Sequence, residues 1–113
     1  MFQKLRTVIY HADDLVKAKD WYTAITGIQP YYDQPFYVGF DINGCELGLD
    51  PDSPAPNGPG AVSYWKVDNI KAALDKCTSS GASVYSDIQN VGGTIEIAVI
   101  IDPFGNYVGL ISE

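Results

Sequence analysis

One series of predicted elements occurs twice in this chain and limits the folds that it can adopt. The first copy is predicted to contain a strand over 5–10, a helix between Asp14 and Gly27, and strands over 29–32, 36–42 and 45–50. The second copy is predicted to contain a strand over 61–67, a helix between Asp68 and Gly81, and strands over 83–86, 94–101 and 106–111. The sequence therefore predicts an α+β fold built from two tandem βαβββ modules.

Matched residues support the repeat. At a spacing of 54, Val8, Tyr10, Asp14, Lys17, Ala18, Gly27 and Tyr31 match Val62, Tyr64, Asp68, Lys71, Ala72, Gly81 and Tyr85. At a spacing of 61, Asp41, Gly44, Gly48 and Leu49 match Asp102, Gly105, Gly109 and Leu110. Caps and turns favour Gly and Asp in any protein, but they do not explain the matched Lys-Ala pair or the tyrosines. The change in spacing predicts a longer loop over 89–93.

The dipeptide Asn43-Gly44 predicts a two-residue hairpin turn, since both positions of that turn need a positive φ. The hairpin fixes which side chains share a face. Val38, Phe40, Leu47 and Leu49 should pack under the helix, and Tyr37, Gly39, Asp41, Glu46, Gly48 and Asp50 should lie on the opposite face. Residues 51–60 contain four prolines and read as a linker. We therefore expect a single domain over 1–113, with module one at 1–50 and module two at 61–113.

Composition limits the partners. The formal net charge is -7 over 113 residues, which argues against nucleic acid or an anionic membrane and suits a cationic or neutral small ligand. The alternative is that the acidity only favours solubility. Cys45 and Cys77 lie far apart and form no metal-binding or disulfide pattern. The first residues contain no long apolar run, so we expect a cytoplasmic protein without a membrane span.

Three short segments carry a family resemblance. Asp14-Leu15 follows the first strand, Asp20-Trp21-Tyr22 precedes Gly27, and Asp102-Pro103-Phe104-Gly105-Asn106 precedes the last strand. In this order, on a tandem βαβββ repeat, they resemble the vicinal oxygen chelate (glyoxalase/bleomycin resistance protein/dioxygenase) superfamily. The resemblance implies a curled mixed sheet or half-barrel around a cleft, with the helices outside, and a homodimer.

The resemblance also implies a metal site, with one ligand from the first and one from the last strand of each module. Those positions fall on Thr7, Gly48, Val62 and Gly109. None is a good ligand for a divalent ion, and the neighbouring residues do not restore the site. We therefore expect no metal and no cofactor, and we reject the family's metal-dependent chemistry for this chain.

Alternation along the strands predicts the residues that line the cleft. They are Thr7, Ile9, His11, Tyr37, Gly39, Gly48, Asp50, Val62, Tyr64, Tyr107 and Gly109. The glycines should leave room for a ligand and the tyrosines should form its walls, unless the tyrosines themselves fill the space. We assign no catalytic residue. His11 is expected to be solvated or bonded near the helix cap, and Asp41 and Glu46, close to an exposed turn, are expected to be solvated.

These features favour a metal-free protein of the bleomycin-resistance type that sequesters an aromatic or cationic compound. The alternative is a glyoxalase-like lyase or isomerase, or a dioxygenase-family enzyme, with an atypical metal site formed by His11 with Glu46 or Asp50. A third possibility is a regulatory module that has kept the fold without the ligand site.

Overall fold

Each copy of the repeat folds as a strand, a helix and three further strands in the computed structural model, which describes residues 1–113. In module one these are β1 (Thr7–His11), α1 (Leu15–Thr26), β2 (Tyr32–Gln34), β3 (Tyr37–Ile42) and β4 (Cys45–Asp50). In module two they are β5 (Ser63–Lys66), α2 (Ile70–Ser79), β6 (Ser83–Gly92), β7 (Ile95–Ile101) and β8 (Tyr107–Ser112). The predicted α+β class and the two tandem βαβββ modules are confirmed.

The two modules have the same sheet topology. Module one has the strand order β1-β4-β3-β2, and module two has the order β5-β8-β7-β6. In each sheet the first strand runs parallel to the last, and the remaining pairs are antiparallel. The chain separates into two compact units, Met1–Pro54 and Ala55–Glu113, and each is described by itself below.

The hairpin at Asn43-Gly44 sets the register of module one. Their φ angles are 50° and 91°, as the predicted turn requires. Ile42 consequently pairs with Cys45, and Gly39 pairs with Gly48, as predicted. The apolar face packs beneath α1, where Val38, Phe40, Leu47 and Leu49 are buried together with Ala18 and Tyr22 of the helix.

The caps of the two helices differ. Asp14 caps α1, and its side chain accepts a hydrogen bond from the backbone N–H of Lys17 at 3.1 Å. The predicted cap of α2 at Asp68 is wrong, because the amide oxygen of Asn69 accepts from the backbone N–H of Ala72 at 3.0 Å. Both residue types cap helices well, so side-chain chemistry alone did not separate the two positions.

The register also corrects the spacing of the repeat. Ile9 pairs with Gly48, whereas Tyr64 pairs with Gly109. The counterpart of Tyr64 is therefore Ile9, and the match of Tyr10 with Tyr64 is wrong by one residue. Tyr10 instead lies on the helix side, where its ring is 5.7 Å from that of Tyr22.

Most strands shift from their predicted bounds by one or two residues, and two of them, β2 and β6, need a physical explanation. The predicted strand over 29–32 begins later, since Pro30 has no N–H and the first pairing bond runs from Tyr31 N to the carbonyl of Gly39 at 3.0 Å. The predicted loop over 89–93 is largely strand, because β6 continues to Gly92. Three irregularities in its pairing with β7 take up the additional residues.

The Asp102–Asn106 turn is a buried polar structure. Asp102 Oδ1 accepts from the backbone N–H groups of Phe104 and Asn106 at 2.9 and 2.8 Å. Asp102 Oδ2 accepts from the side-chain amide of Asn106 at 2.9 Å. These bonds satisfy the buried polar atoms and hold β7 and β8 together, so this motif is structural. Neither helix has the length and apolar character needed to cross a membrane.

Candidate functional site

The predicted site residues form two groups, one in each module. On the face of module one opposite α1, which we call the open face, β1 contributes Thr7, Ile9 and His11, and the hairpin contributes Tyr37, Gly39, Gly48 and Asp50. In module two the group consists of Val62, Tyr64, Tyr107 and Gly109, with Tyr64 directly beside Gly109. The structure describes each group within its own module.

Tyr37 covers Gly48 on the open face. A Cβ atom added to Gly48 would lie only 2.7 Å from Cζ of the Tyr37 ring, closer than a real Cβ contact. The space that we expected Gly48 to leave for a ligand is therefore filled by Tyr37. This glycine is required because a bare backbone lets the ring lie against the strand.

In module two, the Tyr64 ring covers Gly109 in the same way. A Cβ added there would lie 2.7 Å from both Cε1 and Cγ of the Tyr64 ring, so the expected room above Gly109 is also filled. Tyr107 instead contacts Tyr85 edge-on, with ring centroids 5.0 Å apart. At these two glycines the alternative interpretation, in which tyrosines fill the space, is correct.

Glu46 is the centre of a polar group that sequence reasoning missed. Its two carboxylate oxygens accept hydrogen bonds from the phenol groups of Tyr31 and Tyr37. Arg6 Nη1 lies 3.9 Å from Oε1, and the Glu46 side chain is only 13% exposed. The expectation of a solvated Glu46 is wrong, because Tyr37 leans along the sheet over Gly48 to reach it. Asp41 remains at the turn and accepts from the backbone N–H of Gly44 at 2.9 Å.

These hydrogen bonds fix the protonation of the group. The bonds from Tyr31 and Tyr37 hold the pKa of the Glu46 carboxyl below its usual value. Burial, and then the hydrogen bond to Glu46, raises the pKa of the Tyr37 phenol well above its ordinary value. The hydrogen bond to Glu46 also raises the pKa of Tyr31. At neutral pH the site therefore holds an ionised carboxylate between two protonated phenols.

Aromatic rings extend from this carboxylate across the edge of the open face. Tyr32 lies at their centre, 6.5, 6.3 and 6.1 Å from the ring centroids of Tyr31, Phe36 and Tyr37. Tyr31 is 61% exposed and Phe36 is 60% exposed. We call these four residues the ring cluster. Flat exposed rings beside a fixed negative charge suit a planar or cationic molecule.

Two cavities border this region of module one. The first, of about 420 Å³, lies at the hairpin end and is lined by Lys4, Arg6, Tyr31, Asp41, Gly44 and Glu46. The second, of about 360 Å³, lies on the helix side and is lined by Leu15, Val16, Lys19, Asp33, Gln34, Pro35 and Val38. An ion pair between Lys19 Nζ and Asp33 Oδ2, at 3.1 Å, joins two residues of the second cavity.

A comparison with protein-family models agrees with the two βαβββ modules. The Glyoxalase/Bleomycin resistance protein/Dioxygenase superfamily model matches residues 4–110. The chain belongs to this superfamily. No curated protein matches the chain.

Solved structures of this superfamily share the fold at low sequence identity. A glyoxalase/bleomycin resistance protein/dioxygenase family enzyme from Burkholderia phytofirmans PsJN is 20% identical, with a TM-score of 0.78, and the match covers 97% of this chain and 98% of that one. A superfamily member from Sphaerobacter thermophilus DSM 20745 is 18% identical over 99% and 98% of the two chains, with a TM-score of 0.78. Lactoylglutathione lyase from Agrobacterium tumefaciens is 17% identical over 98% and 94%, with a TM-score of 0.75. At these identities the likeness shows the fold.

The residues at the superfamily's metal positions do not fit a metal. Gly48 and Gly109 lie beneath tyrosine rings, and Thr7 and Val62 offer at most one hydroxyl. No three His, Cys, Asp or Glu side chains come together in an arrangement that could hold an ion. The pair His11 and Glu46 is also separated, because Glu46 lies opposite Thr7, four residues before His11, which is about 13 Å along the strand.

His11 is held by two acceptors close to the start of α1. Its Nδ1 lies 2.6 Å from the carbonyl oxygen of Ser53, to which it donates, and its Nε2 lies 3.2 Å from Asp13 Oδ1. Both ring nitrogens therefore have partners within reach in module one, and the contact with Asp13 is an ion pair only when the ring carries both protons. A general base needs a nitrogen lone pair directed at the substrate, so this arrangement favours a structural role for His11.

Proposed function

We propose that this protein binds and sequesters an aromatic, cationic small molecule on the open face of module one, without a divalent metal. The observation that carries the proposal is the ring cluster beside an ionised Glu46. The cytoplasmic location and the homodimer expected from the sequence are part of the same proposal.

The chemistry of the site supports a cation. Glu46 and the two phenols bonded to it offer oxygen lone pairs, because each phenol hydrogen is already donated to the carboxylate. An ammonium or guanidinium group supplies the matching donors. Rings such as Tyr32 and Phe36 add stacking and cation–π attraction, worth about 0.5–1 kcal/mol for each exposed contact.

The same arrangement disfavours the lyase, isomerase and dioxygenase alternatives. Those reactions use a metal that polarises two substrate oxygens, and neither module supplies the ligands for it. Glu46 with its two phenols and the ring cluster can bind a ligand without transferring atoms, and His11 on the same face is engaged by Ser53.

Equilibrium titration with phenylethylamine and phenylpropionate tests the proposal, because the two compounds share a ring and carry opposite charges. We expect phenylethylamine to bind more tightly. Glu46→Gln and Phe36→Ala should each weaken its binding, by about tenfold or 1.4 kcal/mol for the charge change. Tyr85→Ala, which removes an exposed tyrosine of module two, is the matched control and should leave the affinity unchanged.

Two results would contradict the proposal. One is the absence of phenylethylamine binding at millimolar concentration. The other is binding that Glu46→Gln leaves unchanged, since the carboxylate would then take no part in it.

A further inference from the structure

We propose that the 420 Å³ cavity at the hairpin end of module one is a subsite for a zwitterion, in which Glu46 takes an ammonium group and Arg6 takes a carboxylate. The inference rests on the proposed function and specifies its ligand class: an aromatic compound with an α-amino acid end.

The lining of the cavity includes positive groups. Lys4 and Arg6, both from the segment before β1, supply them. The segment is tied to the hairpin, because the backbone N–H of Glu46 donates to the carbonyl of Arg6 at 2.7 Å. Lys4 Nζ also donates to the carbonyl of Gly44 at 3.3 Å.

The hairpin supplies the negative groups of the cavity. Asp41 and Glu46 are cross-strand partners of the hairpin, so their side chains share a face. Tyr31 joins these groups to the ring cluster, since its phenol is bonded to Glu46 and its ring lies 6.5 Å from that of Tyr32. A ligand that places its charged end in the cavity can therefore rest its ring on the cluster.

The balance of charge selects a zwitterion over a simple cation. The cavity is lined by two cations and two carboxylates, and its net charge is zero. A bare amine would meet Glu46 but would bring its positive charge close to Arg6, whose Nη1 lies 3.9 Å from Glu46 Oε1. A zwitterion offers a partner to both kinds of charge at once.

Arg6 can give way to such a ligand. Its side chain is 73% exposed, its contact with Glu46 is longer than a hydrogen bond, and its Nη1 donates to Thr7 Oγ1, 2.6 Å away, a bond that a ligand carboxylate would have to replace. At 3.9 Å, and with the Arg6 end in solvent, this ion pair contributes little to stability. A ligand ammonium can therefore replace the guanidinium beside Glu46, while Arg6 turns to the ligand carboxylate, which it can bind with two parallel hydrogen bonds.

The test compares three compounds that share one ring: L-phenylalanine, phenylethylamine and phenylpropionate. We expect the full-length protein to bind L-phenylalanine about tenfold more tightly than either of the others. Arg6→Ala should weaken the binding of L-phenylalanine. It should leave the affinity for phenylethylamine unchanged or increase it. Glu46→Gln should lower the affinity for both amines, L-phenylalanine and phenylethylamine, and raise the affinity for phenylpropionate. Lys71→Ala and Asp75→Asn, which alter an exposed ion pair of α2, are the charge-matched controls and should change none of the three affinities.

The outcomes separate this inference from the proposed function. If phenylethylamine binds through Glu46 but L-phenylalanine binds no better, or Arg6→Ala leaves L-phenylalanine unchanged, the zwitterion subsite is wrong and the cation site stands. If none of the three compounds binds, both are wrong. Circular dichroism melting of each variant confirms that an affinity change does not reflect unfolding.

Discussion

At the scale of single residues, Tyr37 and Gly48 act as one unit. The ring lies over the glycine, and its phenol reaches Glu46 two residues further along the paired strand. A side chain at position 48 would displace the ring and break that hydrogen bond. The glycine at a position where the superfamily places a metal ligand therefore serves to seat a tyrosine.

Replacing Gly48 with alanine should expose this dependence. We expect Gly48→Ala to lower the free energy of unfolding by about 1–3 kcal/mol, as over-packing does, in urea denaturation. Its strand partner is the control: a Cβ at Gly39 would lie 3.2 Å from Cε1 of the exposed Tyr31, which can move, so Gly39→Ala should cost less. In a Tyr37→Ala background the cost of Gly48→Ala should vanish. Equal effects at both glycines would contradict this explanation.

Glu46 should give the protein a specific response to acid. Its pKa in the folded protein lies below its ordinary value of 4.5, so its bonds stabilise the fold above that value and are lost as the pH falls through the folded pKa. Urea denaturation should therefore show the stability difference between wild type and Glu46→Gln to be constant near neutrality and to shrink below about pH 4.5. Asp68→Asn, at an exposed carboxyl, is the control and should show no such trend. A difference that stays constant into acid would contradict the assigned hydrogen bonds.

The residue-level site was only partly predictable from sequence. Alternation correctly placed Tyr37, Glu46 and Gly48 on one face, since the hairpin turn fixed their register. It could not show that Tyr37 leans over Gly48, because a period of two gives the face of a side chain and not its direction along the sheet. Tyr31 was missed as a partner of Glu46 because no short turn fixed the register of its predicted strand over 29–32 against the hairpin; it lies just before β2, and its N–H donates to the carbonyl of Gly39.

At the scale of elements, the turns and caps determine most of the fold. Asn43-Gly44 and the Asp102–Asn106 turn lie where the sequence predicts them, since each carries its own hydrogen-bonding or φ requirement. β6 was predicted too short, because irregular pairing with β7 lets polar residues continue as an edge strand. Such pairing depends on the neighbouring strand and has no signature in the β6 sequence alone.

The cap of α2 offers a direct test at this scale. Asn69→Ala should lower stability by about 1 kcal/mol, because it removes the acceptor of the Ala72 N–H. Asp68→Ala, one residue earlier and exposed, should change stability by less than about 0.5 kcal/mol. Thermal melts of the two variants measure the difference. A larger loss of stability in Asp68→Ala than in Asn69→Ala would show that Asp68 caps α2, as the sequence repeat predicts.

At the scale of the whole molecule, the repeat is retained in topology, while the residues around Gly48 and those around Gly109 have diverged. Module one covers Gly48 with Tyr37 from β3, whereas module two covers Gly109 with Tyr64 from β5. Only module one combines its tyrosine with a carboxylate and an exposed ring cluster. The sequence predicted the shared fold because caps, turns and strand order are repeated, and it did not predict which module carries the polar site.

Metal-free binding can be tested by measuring whether ligand affinity depends on a metal. Purified protein should be analysed for bound metal, and phenylethylamine should be titrated after exhaustive dialysis against EDTA and again with added nickel or zinc. We predict an unchanged affinity under all three conditions and no stoichiometric metal. Stoichiometric metal in the purified protein, with binding lost in EDTA and hemithioacetal turnover restored by the ion, would contradict the account.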